Sequence, residues 1–303
     1  SPWLVIMSRN IWPVNLSLVF FVWLMVLLTK AYRTKSLGYS VASALVLIFG
    51  CTTSRLFLIV PALLLVCLCI AILRKGIKDV VGREILVGII VSALLILPLV
   101  FVTVVSQKNS AVGIRAKVVG ASKQTSIAVT SKTIVDNTGR TALMFFVSGD
   151  EDYTRNLAGL PMLDSFVGLM LVLGLLVSVS RLKQARYDFL VIGLVIMLLP
   201  AILLTSTSIP DAYHAALSVP IVLILAGVGT NYLLARWYSM FPINTTARSL
   251  GLAFIVFLLS LSAYIGYRQY FVAWAQDPKT YTTYREDLKG IAAFMKANGV
   301  ERK

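Results

Sequence analysis

The chain has 303 residues, of which 58% are hydrophobic and 14% charged, with a mean hydropathy of +0.86 and a formal net charge of +15. A soluble domain carries about 25% charged residues, so the composition excludes one, and several apolar runs approach the roughly 20 residues that cross a bilayer core. In a membrane protein the excess of Lys and Arg collects in cytoplasmic loops and at anionic headgroups, which makes membrane lipids the expected partners and not nucleic acid.

The first predicted span is Val14–Thr29, followed by Lys30, Arg33 and Lys35. A short span, Leu37–Gly50, and a longer one, Leu56–Leu73, flank the turn Cys51-Thr52-Thr53-Ser54-Arg55. Two readings of Arg55 stand side by side: a side chain that snorkels to the headgroups, or one that meets an anionic ligand at the mouth of a cavity. A basic loop over 74–84 leads into Ile85–Val105, where Pro98 frees a backbone carbonyl. Residues 1–105 thus read as about four spans.

Residues 106–163 form the one long polar segment between two apolar halves. Loops of this length are functional or disordered. Ile114–Val119 and Thr141–Val147 are apolar enough for short surface helices, and Asp136-Asn137-Thr138-Gly139 is a turn signal. The acids cluster as Asp150, Glu151 and Asp152, just before Arg155. Asp164 or Ser165 is placed to cap the next helix.

Residues 164–267 repeat the pattern with about four more spans: Phe166–Val179, Phe189–Thr205 with Pro200 inside, His214–Leu234 with Pro220, and Leu250–Tyr267. The connector Ser206–Tyr213 carries no basic residue, and its Asp211 can cap the following helix. The tail, 268–303, is polar; Leu288, Ile291, Ala292 and Met295 share a helical face in it. Cys51, Cys67 and Cys69 have no metal or disulfide spacing. His214 is the single histidine and has no further ligands near it in sequence for a zinc site.

The expected fold is therefore all-α: a multi-pass transmembrane bundle of about eight spans with one long loop and a short helical tail. The loops at 30–36, 74–84, 181–187 and 236–248 are rich in Lys and Arg, whereas those at 51–55 and 206–213 hold only Arg55. The positive-inside rule makes the first set cytoplasmic. The long loop, Arg55, the connector and the tail then all face the extracytoplasmic side.

Four local patterns carry a family resemblance. They are Phe49-Gly50-Cys51-Thr52-Thr53-Ser54-Arg55-Leu56-Phe57 with Pro61; Leu97-Pro98 before a basic outer loop; Arg155-Asn156-Leu157-Ala158-Gly159-Leu160-Pro161-Met162-Leu163-Asp164; and the connector to His214 and Pro220. On these the chain resembles the C-terminal part of the membrane glycosyltransferases of the GT-C fold, in the branch of the protein mannosyltransferases and aminoarabinose transferases. The resemblance implies transfer of a sugar from a polyprenyl-phosphate-linked donor to an acceptor on the extracytoplasmic face, in the plasma membrane of a prokaryote. It implies no cofactor, with a divalent cation as the one alternative.

Carrier phosphate needs cations at the membrane surface, and the planar fork of arginine suits it. Arg55, Arg155 and His214 are the candidates. Asp150, Glu151 and Asp152 are candidate contacts for the acceptor or a cation, against the plainer reading of a solvated turn. The family's catalytic acid sits in a first outer loop, and Ser1–Pro13 contains no Asp or Glu. The catalytic residue is therefore unassigned, and the chain reads as a portion whose base lies elsewhere. His214 stands where the family often has an arginine. Three other classes fit parts of the sequence. A transporter or permease component would have buried charge and internal repeats, a non-catalytic scaffold would explain the missing acid, and an O-antigen ligase or polymerase would carry more Arg and His in its loop.

Overall fold

An apolar run out of water must satisfy its backbone donors and acceptors internally, and the helix does so within a single segment. The computed structural model describes residues 2–9, 13–76, 82, 85–94, 127–157, 159–203, 209–280, 282 and 294–295, and among them there is helix and no strand. In chain order they form α1 (Pro2–Arg9), α2 (Pro13–Thr34), α3 (Leu37–Thr53), a 3-10 turn at Arg55–Leu58 and α4 (Ile59–Lys75). There follow α5 (Ile85–Leu94), α6 (Ile127–Leu143), α7 (Ser165–Ser180) and α8 (Ala185–Leu203). The short α9 (Ala212–Ala215) leads through a 3-10 turn into α10 (Val219–Met240), and α11 (Thr245–Tyr267) ends in a π turn, Arg268–Trp274.

Among the described residues five segments are long and apolar enough to cross a membrane: Pro13–Thr34, Arg55–Arg74, Ala185–Leu203, Ala212–Met240 and Thr245–Trp274. Leu37–Thr53, Ile85–Leu94 and Ser165–Ser180 are shorter apolar helices. The chain has the make-up of an integral membrane protein.

The helix starts follow from local chemistry. Asp164 accepts a hydrogen bond from Val167 N at the head of α7, and Asn244 accepts one from Ala247 N at the head of α11, each satisfying a donor the helix cannot. The most extensive packing joins α7 to α10. Gly174 and Gly229 make it possible: a Cβ on Gly174 would lie 1.8 Å from Leu225 O, and one on Gly229 would lie 2.1 Å from Met170 O. Small residues that let backbones approach are the usual device where lipid removes the hydrophobic drive between helices. Phe57, Leu63, Met170, Met197, Leu217 and Leu225 belong to the core these helices share.

Contacts between the described connections sort them into two ends. One end gathers the turn at Arg55, the segment 144–164, the connector before α9 and the π turn of α11; Ser17 Oγ lies 3.1 Å from Thr53 Oγ1 there, and Trp274 Nε1 donates to Tyr153 O at 2.9 Å. The opposite end gathers the basic loops. There Arg74 donates to Leu182 O at 2.9 Å and pairs with Asp188 at 2.9 Å.

Trp274 is fully buried and ties the last helix to the loop, with the Arg9 guanidinium 5.4 Å from its ring centroid. Trp274→Phe keeps most of the packing and removes the donor. It is expected to cost about 1 kcal/mol, read as a small drop in the melting temperature of the detergent-solubilised protein.

The segment 106–163 departs from its expected form. A helix, α6, runs through the predicted turn at Asp136–Gly139, and only its last residues overlap the predicted Thr141–Val147 helix; Met144–Val147 are turns. Two contacts override the turn signal. Asp136 and Arg140 pair one helical turn apart at 3.0 Å, and buried Asn137 donates from Nδ2 to Ile202 O at 3.1 Å. Ile202 lies in the last turn of α8, where carbonyls lack intrahelical partners, so an amide from another helix is favoured. The short α1 was not anticipated; buried Trp3 anchors it, donating to Met7 Sδ at 2.7 Å. The expected Ile114–Val119 helix, Pro98 and most of the tail face at Leu288, Ile291 and Ala292 lie outside the described residues.

Candidate functional site

The segment between α6 and α7 folds back on itself. Met162 N donates to Met144 O at 2.9 Å, Leu163 N to Phe145 O at 3.3 Å and Gly149 N to Leu160 O at 3.1 Å. Gly149 is required at that crossing, because a Cβ there would stand 2.4 Å from Leu160 O. Buried Asn156 closes the loop inside, donating from Nδ2 to Leu160 O at 2.7 Å and to Asp150 O at 3.3 Å. Gly159 turns the chain with φ +76°, a region open chiefly to glycine.

This small frame aims two acids and one base inward. Asp152 Oδ1 accepts from Thr154 N at 2.9 Å and Thr154 Oγ1 at 2.7 Å, a local turn of the kind Asp favours. Arg155 follows on the next residue. Its Nη1 donates to Asp211 Oδ1 at 2.8 Å and lies 3.5 Å from Asp150 Oδ2; its Nε makes an ion-pair contact with Asp152 Oδ2 at 3.3 Å without hydrogen-bond alignment. The Tyr213 ring sits beside the guanidinium, 5.8 Å from its carbon.

Both carboxylates at the centre are buried, Asp150 completely and Asp211 to 1% exposure, and both are satisfied. Asp150 Oδ1 accepts from Asp152 N and Oδ2 from Ala212 N, each at 2.9 Å. Asp211 Oδ1 caps α9, accepting from Tyr213 N at 2.9 Å and His214 N at 3.3 Å, while Oδ2 meets His214 Nδ1. Burial pushes the Asp150 carboxyl above the ordinary carboxylate range, against the pull of the Asp152 and Ala212 N–H groups and the Arg155 charge.

The chemistry that remains open belongs to His214. Asp211 engages Nδ1, so Nε2 is the ring nitrogen left for a ligand, on a side chain 22% exposed. An imidazole fixed through one nitrogen presents the other as a hydrogen-bond donor or a proton carrier in a set direction. Arg155, by contrast, faces three carboxylates, and its charge serves to join the loop to the connector. Among the described residues no group of three His, Cys, Asp or Glu side chains is disposed to hold a metal ion; the guanidinium of Arg155 occupies the centre of the acid cluster.

Of the residues expected at a site, Asp150, Asp152, Arg155 and His214 come together. Glu151 is exposed beside them and Arg55 is exposed at the head of its 3-10 turn, neither with a hydrogen bond or ion pair to a described residue. Asp211 caps its helix as the sequence suggests, and in addition it is the hub of the network. Its hub role, and the latch formed by Asn156, have no local signal beyond an acid three residues before the only histidine. No family model matches the chain, and comparison with curated proteins and with solved structures returns no match either.

Proposed function

We propose that the chain is the C-terminal, membrane-embedded part of a GT-C fold glycosyltransferase that takes a sugar from a polyprenyl-phosphate-linked donor and passes it to an acceptor on the extracytoplasmic side. One observation carries this reading: the Asp211–His214 couple is locked to the polar loop through Arg155, at the end of the bundle away from the basic connections. With those connections in the cytoplasm, the eight apolar helices cross as eight spans and the couple faces outward, where a lipid-linked donor presents its phosphate.

In this reading His214 Nε2 and the Arg55 guanidinium contact the carrier phosphate. Arg155 is a positioning residue that acts through Asp211. Glu151, exposed at the loop surface, is the acid free to meet an acceptor or a cation. The general base that activates the acceptor is not among these residues.

Titration of the purified protein with a polyprenyl monophosphate tests the assignment. Each of His214→Ala and Arg55→Ala is expected to weaken binding by about tenfold, the value of one charge-assisted hydrogen bond. Unchanged affinity in both variants removes these residues from the phosphate site.

A further inference from the structure

A second site lies at the opposite, basic end. Helices α2, α4, α7, α8 and α10 line an open cavity of about 990 Å³ whose wall is mostly apolar, including Leu28, Leu64 and Leu190. Its lining includes three arginines, Arg33 in the last turn of α2, Arg181 just after α7 and Arg186 in the first turn of α8, and no Asp or Glu. Arg33 has no hydrogen bond or ion pair with a described residue, and all three side chains are exposed. Buried Tyr187 braces the other two. Arg181 Nη1 donates to its hydroxyl at 3.2 Å, and the Arg186 guanidinium carbon lies 4.8 Å from its ring centroid. Asp188, the residue after Tyr187, is already paired with Arg74 at 2.9 Å.

A second, almost wholly apolar cavity of about 450 Å³ adjoins the first across Leu28, Tyr32 and Leu64, which line both. The two together offer cations at one end and hydrocarbon walls at the other. A free anion would gain nothing from the apolar walls, and a neutral hydrocarbon nothing from three arginines with no acid beside them in the lining. The chemistry that uses both is an anionic headgroup on a hydrocarbon chain, in the proportion typical of ligand pockets, where a few polar groups orient a largely apolar body.

We propose that this cavity binds an anionic phospholipid, with its phosphate among Arg33, Arg181 and Arg186 and an acyl chain along α2 and α4. The site stands apart from the His214 end and does not depend on the glycosyltransferase reading. Gly227 allows the cavity itself to be tested. It lines the cavity, and a Cβ placed on it meets no atom within 4 Å, so Gly227→Leu adds bulk to the cavity wall without removing a charge.

The experiment is native mass spectrometry of the full chain in neutral detergent, titrated with phosphatidylglycerol or phosphatidylcholine. Phosphatidylglycerol is expected to bind in preference to phosphatidylcholine. The triple variant Arg33→Gln, Arg181→Gln, Arg186→Gln should weaken it roughly a hundredfold, at the usual worth of three basic residues against an anionic lipid. Gly227→Leu should weaken it on the order of tenfold by overfilling the site. Arg236→Gln, at the same end but outside the cavity lining, should leave it unchanged. Equal binding of the two lipids by the parent protein overturns the proposal whatever the variants do. Parent-like affinity in Gly227→Leu, or a loss with Arg236→Gln as large as with the triple variant, would show general attraction to a basic surface and overturns it as well.

Discussion

Asp211→Ala is expected to destabilise the folded protein by about 3–5 kcal/mol, the cost of breaking a buried ion pair from one side. The magnitude follows from what the carboxylate holds. It accepts from Arg155 at 2.8 Å and from two backbone N–H groups of α9, and it orients His214. Removing it leaves a guanidinium only 18% exposed facing Asp150 and Asp152 without its best partner, and uncaps the helix that carries the histidine. Asp211→Asn, which keeps the shape and one acceptor oxygen, should fall between the two. Denaturant unfolding in mixed micelles separates the three proteins. An Asp211→Ala midpoint equal to the parent's would mean the network contributes no stability, and the case for His214 as a fixed group would go with it.

The second large effect is expected at the α7–α10 contact. A Cβ on Gly174 would sit 1.8 Å from a carbonyl oxygen of α10, against an ordinary contact of 3.4–4 Å. Main-chain atoms of a packed helix cannot rotate aside as a side chain can, so the helices must separate. Gly174→Ala should cost about 3 kcal/mol or more, at or beyond the upper end for overpacking, and Gly229→Ala, which would meet Met170 O at 2.1 Å, should behave alike. Gly139→Ala is the internal control: it also lies in a helix, but its Cβ would meet nothing within 4 Å, so it should gain up to about 1 kcal/mol from helix propensity. Melting temperatures of the three single variants in one detergent decide it; three equal shifts would refute the close approach.

What the sequence discloses about this molecule is what acts over short range. Among the described residues, apolar runs located the apolar helices to within a few residues at most ends, because each must close its own backbone hydrogen bonds; the end of the expected Ile85–Val105 span lies outside them. Asp164 and Asp211 were legible as caps, since a cap serves donors two or three residues away. Two of the basic connections do meet, Arg74 reaching Leu182 in the next one and Asp188 in the first turn of α8. The misses are long-range. Nothing near Asn137 announces Ile202, 65 residues on, so a local turn signal won on paper and lost in the fold. Likewise the loop acids read as contacts for an acceptor or a cation, or as a solvated turn, and neither reading foresees the meeting of Arg155 with Asp211, 56 residues away.

That last separation bears on how the molecule is made. A ribosome delivers the loop bearing Asp150, Asp152 and Arg155 before α7 and α8, and Asp211 emerges only after both. During the interval Arg155 has only the loop's own acids to pair with, and the histidine that will complete the group does not yet exist. The cluster therefore closes only after α7 and α8 have been made, and its closure joins segments from either side of that helix pair.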